Sequence, residues 1–101
     1  MAIGTIIEDP QYRSAEEKEL LEASVRSSGP VPPEGARLVV GGPTSDGWRV
    51  IGIWDSREAR DRFYSERLTP AYEAAGLSFD DVSLTEFEVE LLVAGDLVAA
   101  A

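Results

Sequence analysis

The chain has no cysteine and no histidine among its 101 residues. Without thiol or imidazole there is no disulfide framework and no mark of redox compartment. There is also no nucleophile–imidazole pair for a hydrolase triad, and no ligand set for zinc, copper or a histidine-bound haem. Only carboxylates could hold a metal, which restricts the choice to ions such as Mg²⁺ or Ca²⁺. Asp80 and Asp81 form an adjacent pair, but they lack the glycine and the ligand spacing of a calcium loop. No metal is expected.

Basic residues are also scarce, nine against nineteen acidic ones, for a net charge of −10. That field repels phosphate backbones and anionic lipid, so neither nucleic acid nor a membrane surface is an expected partner. No basic residue occurs from Ser78 onward, and this stretch reads as a solvated acidic face. Long apolar runs are missing too. No window reaches the length of a membrane span, and MAIGTIIEDP lacks the positive segment of a secretion signal, so a cytoplasmic location is expected. Two glycine-rich stretches, GPVPPEG (29–35) and GGPTSDG (41–47), lack the lysine and the helix start that a phosphate cradle uses.

What is present suits one globular domain over residues 1–101, with 94–101 as a candidate tail; 44% of the residues are hydrophobic. AIGTII (2–7) is apolar and β-branched and stops at Glu8-Asp9-Pro10, predicting a first strand. Ser14 and Glu17 form a capping box for a helix carrying Leu20, Leu21, Ser24 and Val25 as its apolar stripe. Gly29-Pro30 stops this helix, and VPPEG predicts a stiff, extended connector. ARLVVGG (36–42) predicts a second strand, PTSDGW a reversal in which Asp46-Gly47 supplies positive φ angles, and WRVIGIW (48–54) a third strand.

Asp55 and Ser56 compete to cap the next helix. On it Ala59, Phe63 and Leu68 face inward, while Arg57, Glu58, Arg60, Asp61, Arg62, Glu66 and Arg67 make a mostly solvated face. Thr69-Pro70 starts a further turn that Gly76 ends. Residues 82–91 alternate as a fourth strand, burying Phe87, Val89 and Leu91 opposite Glu86, Glu88 and Glu90.

The order βαββαβ is ferredoxin-like: an antiparallel four-stranded sheet with two helices on one face. The third strand points Trp48, Val50, Gly52 and Trp54 one way and Arg49, Ile51 and Ile53 the other, so both of its sides are substantially apolar. The face without helices therefore calls for cover, and a homodimer packed sheet to sheet would supply it.

Residues 33–76 resemble small proteins of the dimeric α+β barrel superfamily, relatives of the antibiotic-biosynthesis monooxygenase domains. The matching pieces are Gly42-Pro43 leading to Gly47-Trp48, then Trp54-Asp55-Ser56, Arg62-Phe63, and Glu66-Arg67-Leu68 with Pro70. The resemblance implies a homodimeric α+β barrel with one pocket per subunit between the helices and the sheet. The chemistries it implies range over cofactor-free oxygenation of aromatic polyketides, cyclisation, isomerisation and haem degradation. It also implies a histidine where this chain has Val39 and an acid where it has Gly52; neither is present.

Within that frame Tyr64 and Tyr72 are candidate donors to a substrate oxygen, and Arg62 is a candidate for stabilising an enolate or phenolate. Trp54, Phe63, Gly52 and Val39 are the candidate pocket residues, with Phe63 also readable as plain core and Trp48 as core. Gly52 leaves a notch between the tryptophans, suited either to another backbone or to a flat ligand. The expected function is a cofactor-independent tailoring enzyme of secondary metabolism, a monooxygenase or a cyclase/isomerase, acting on a planar apolar polyketide-like molecule. The alternative is a noncatalytic dimeric module that binds a small apolar or aromatic ligand. A third reading is an accessory domain whose tail, LVAGDLVAAA, docks on a partner subunit.

Overall fold

A computed structural model of the chain describes residues 2–11 and 15–93. The expected cap at Ser14 and the expected tail at 94–101 lie outside the described residues. The elements are β1 (Ile3–Asp9), α1 (Ala15–Ser28), β2 (Ala36–Thr44), β3 (Gly47–Trp54), α2 (Arg57–Phe63), a π-helical turn (Tyr64–Leu68), α3 (Thr69–Ala74), a 3-10 turn (Phe79–Asp81) and β4 (Ser83–Glu88). The strands form one four-stranded antiparallel sheet in the order β2-β3-β1-β4, the ferredoxin-like arrangement.

The expectation of a barrel is corrected. β2 and β4 are the two outer strands, each paired on one side only, and the sheet does not close on itself. Four twisted strands are too few to curl back to a shared edge, which takes about eight.

Strand register sorts the side chains. Ile3, Thr5, Ile7 and Asp9 of β1 stand opposite Trp54, Gly52, Val50 and Trp48 of β3, all on the helix-covered face. Ile6, Ile51, Leu38, Val40 and Phe87 share the helix-free face. On β4, Glu86 pairs with Thr5 and so faces the helices, while Phe87, expected to be buried, lies across Gly4 on the free face and remains 42% exposed. An edge strand has a neighbour on only one flank, so its apolar series is not obliged to be the buried one.

The hairpin joining β2 and β3 turns through Ser45 and Asp46, and only Gly47 adopts a positive φ, at 147°. A side chain there would also strike the backbone oxygen of Asp9, 2.0 Å from where a β-carbon would stand. The α1–β2 connector bends instead of running extended, with a cis peptide between Val31 and Pro32. Ser56 wins the capping contest, its hydroxyl accepting from the Ala59 N–H at 3.1 Å, and Asp55 turns instead to Arg37.

α2, the π-helical turn and α3 run on as one helix. Pro70 lacks an N–H and its ring crowds the carbonyl one turn back, and the chain answers by widening, with the Thr69 N–H reaching the Tyr64 carbonyl. Arg67, expected in solvent, binds the end of α1: its guanidinium donates to Val25 O at 2.6 Å, Pro30 O at 2.8 Å and Ser28 Oγ at 3.0 Å. α1 therefore leans on the π-helical turn and α3 and scarcely touches the sheet. Leu20, placed in its apolar stripe by spacing, is 49% exposed as a result. The space between α1 and the sheet is where the site lies. Among the described residues no helix is long and apolar enough to cross a membrane.

Candidate functional site

A cavity of about 480 Å³ opens beneath α1, floored by the helix-facing side of β1, β2 and β3 and walled by the long helix. A second lobe of about 250 Å³ continues toward Lys18 and Leu21 of α1, and the two share Val25, Val31, Trp48, Val50, Leu68 and Tyr72. This is the size range of pockets that take drug-sized molecules.

The structure brings Trp54, Phe63, Gly52, Val39, Tyr64 and Tyr72 to this one cavity. Arg62 is not among its walls; it is exposed and borders a separate shallow groove beside Pro30 and Glu34. Arg37 reaches the cavity mouth, and Arg49 pairs with Glu8 on the helix-free side. Trp48, expected as core, is half-buried with the Lys18 ammonium 4.7 Å from its ring centroid.

Trp54 is 2% exposed, and its indole N–H has no hydrogen-bond partner among the described residues. Gly52 explains where that N–H sits, because a β-carbon at 52 would come within 2.7 Å of Trp54 Nε1. The notch that the strand glycine creates is thus filled from above by the edge of its neighbour's indole, not by another backbone. A buried donor left unpaired costs about 1–3 kcal/mol. Natural folds keep few such groups, and those they keep call for an explanation.

A chain of rings runs on from this wall. Trp54 meets Phe63 at 5.5 Å and Tyr64 edge-on at 6.2 Å, Tyr64 meets Phe79 at 5.7 Å, and Phe79 meets Tyr72 at 5.0 Å. Burial pushes the Tyr64 phenol up to about 12, with Arg60 opposing and Asp61 reinforcing the shift, so it stays protonated at neutral pH and can only be a neutral donor or acceptor.

Two charged groups escaped the sequence reading. Arg60, assigned to the solvated face, is 6% exposed, and it donates to Asp61, to Glu86 and, at 3.3 Å, to Thr5 Oγ1. Burial disfavours its charge, but Asp61 and Glu86 outweigh that and hold its pKa above the ordinary value. Arg57 also binds Glu86, and this hydrogen bonding, with that of Arg60, pushes the Glu86 carboxyl down to about 2. The cluster ties α2 to β1 and β4 behind the cavity.

The other is Asp9, 2% exposed at the cavity floor. Its Oδ2 accepts from Tyr72 Oη at 2.9 Å and its Oδ1 from the Gln11 N–H at 3.0 Å. The signal was in the strand parity: carrying the inward series Ile3, Thr5, Ile7 one step further reaches Asp9. Among the described residues no group of three or more His, Cys, Asp or Glu side chains could hold a metal ion.

No family model and no curated protein matches the chain. Solved structures do. The protein Rv0793 from Mycobacterium tuberculosis superposes with a TM-score of 0.62 at 20% identity, over 93% of this chain and 100% of that one. SnoaB, a cofactor-independent oxygenase from Streptomyces nogalater, gives 0.61 at 13% identity over 93% and 97%. A dimeric ferredoxin-like protein of unknown function from a Jannaschia species gives 0.56 at 11% over 88% and 100%. This chain therefore shares the ferredoxin-like fold of these proteins, and of others described as putative antibiotic biosynthesis monooxygenases.

Proposed function

We propose that this protein is a cofactor-independent tailoring enzyme of secondary metabolism, a monooxygenase or a cyclase/isomerase, that draws a planar, apolar, oxygenated molecule of the polyketide kind into the cavity beneath α1. The observation that carries this reading is the buried Trp54 N–H, without a hydrogen-bond partner among the described residues, at the wall of an aromatic-lined space. A ligand carbonyl or phenol oxygen that reached it would satisfy it, and the flat rings of such a molecule match the faces of Phe63 and Tyr64. The cavity would supply orientation, exclusion of water, and donors from Trp54 and Tyr64 where charge develops on oxygen. Arg62 has no part in this reading. The fold shared with SnoaB, described as a cofactor-independent oxygenase, is consistent with it at the level of architecture.

A noncatalytic binding role for the same cavity is favoured by the lack of any imidazole in the chain. The helix-free sheet face, where Val40 is 40% and Phe87 42% exposed, would bury itself against a second copy; the Jannaschia protein of the same fold is described as dimeric.

Titration with a hydroxyanthraquinone, read by tryptophan emission, tests the pocket. Saturable quenching that weakens in Trp54→Phe supports it, and unchanged emission contradicts it. Product analysis with and without oxygen then separates oxygenase, isomerase and mere binder. Sedimentation that shows only monomer at micromolar concentration would contradict self-association.

A further inference from the structure

We propose that the molecule this cavity takes carries an anionic group, a carboxylate, at the end away from Trp54, and that Lys18 at the rim of the outer lobe selects for it. The inference rests on the pocket reading above and adds the charge of its ligand.

The face of α1 that overlooks the outer lobe is the first argument. Lys18, Leu21, Glu22, Val25 and Arg26 repeat at helical spacing and all border it. A helix laid on a sheet presents apolar side chains along such a stripe, yet Lys18, Glu22 and Arg26 are charged and exposed. Beneath them Trp48, Val50 and Leu68 keep the interior of the lobe apolar. A ligand's apolar body fits inside, and its charge belongs at the rim.

The second argument is which cations are already engaged. Acidic residues outnumber basic ones nineteen to nine, and Arg37, Arg49, Arg57 and Arg60 each hold a carboxylate. Lys18 has Glu17 and Glu19 on either side and Glu22 one turn on. Its ammonium nevertheless forms no ion pair among the described residues, and lies over the Trp48 ring, 4.7 Å from the centroid. Lysine four residues ahead of glutamate is the weaker order for a helical pair, which accounts for the missing bond to Glu22. It does not account for an ammonium that bends inward across the lobe. A cation stacked on an indole keeps its N–H donors, so a carboxylate entering there meets a charge already in place beside an apolar wall. Arg26, about two turns further along the same edge, also has no ion pair among the described residues.

The two ends of the cavity therefore ask for different chemistry. The Lys18 ammonium lies over Trp48, and the Trp54 N–H lies beside Gly52. Positions 48 and 52 are separated by about 13 Å of strand. One molecule that meets both is elongated, with a neutral oxygen at the Trp54 end, flat rings against Phe63 and Tyr64, and a carboxylate at the rim under α1. Glu22, the one carboxylate among the described residues that border the outer lobe, repels that group and limits the gain.

The test compares danthron, an uncharged dihydroxyanthraquinone, with rhein, the same ring system carrying a carboxylic acid. Each is titrated into the full chain at neutral pH and followed by tryptophan quenching. The expected result is binding of rhein about threefold tighter than danthron, the size of a partly exposed charge pair, with the margin shrinking in high salt. Lys18→Met keeps an apolar stem over Trp48 and should remove the margin while danthron binds as before. Glu22→Gln should widen it. Equal affinities in the wild type, or weaker binding of rhein, would overturn the inference while leaving the pocket reading intact, and need no variant to fold. A margin that survives Lys18→Met would overturn it as well. Absence of quenching by either dye would overturn both.

Discussion

Trp54 Nε1 lies 2.7 Å from the point where a β-carbon on Gly52 would stand, so the glycine is what lets the indole lie back along β3 and carry its N–H into the cavity wall. Gly52→Ala should push the indole out of this position. Overpacking of this kind costs about 1–3 kcal/mol, to be read as a lower urea midpoint with an unchanged slope. Hydroxyanthraquinone affinity should fall with it. An alanine variant as stable as the wild type would mean that the indole has somewhere else to go.

Glu86 sets the acid limb of stability. Its carboxyl is held at about 2 against an ordinary 4.5, first by the Arg57 hydrogen bond and then by that of Arg60. The depressed value stabilises the fold above pH 4.5, and that contribution is lost as pH falls from there toward 2. Glu86→Gln should therefore flatten this part of the stability–pH curve, measured by urea unfolding at stepped pH. Parallel curves for the two proteins would remove Glu86 from the account.

Arg67 keeps α1 away from the sheet. Its three hydrogen bonds to the last turn of α1 and the connector, at 2.6, 2.8 and 3.0 Å, leave few other contacts to hold that helix over the cavity. Arg67→Ala should cost about 1–3 kcal/mol. Hydrogen exchange should quicken in α1 before it does in β1 or β3. Arg67→Lys should recover only part of the loss, since an ammonium cannot span three acceptors as a planar fork does. Uniform exchange across the molecule would contradict this role.

The order of elements could be read from the sequence because its punctuation is local. Pro10, Gly29-Pro30, Gly47, Ser56 and Gly76 each act on the backbone within a turn of where they stand. The aromatic side of the cavity could be read as well, since strand parity and helical spacing put Trp54 and Gly52 on one face and Phe63 near them. Sheet closure could not, because it depends on strand number and curvature that no local pattern encodes.

Nor could the two buried charges. Arg60 finds Thr5 across 55 residues and Asp9 finds Tyr72 across 63, so each looked like one more surface charge in a chain full of them. Glu86 shows the limit of alternation: parity separates the faces of β4, but only pairing with Thr5 tells which face meets the helices. Pro70 reads as the start of a further turn, but the helix runs straight through it and widens in the turn before.

The central claim is that the Trp54 N–H awaits a ligand oxygen. The most direct measurement is the ¹⁵N–¹H spectrum of the indole groups, with Trp54 assigned through Trp54→Phe, during titration with a hydroxyanthraquinone. The account predicts that the Trp54 Nε1–H resonance moves downfield and becomes protected from exchange, with a smaller change at Trp48. A Trp54 resonance that stays in place while the ligand binds would contradict it.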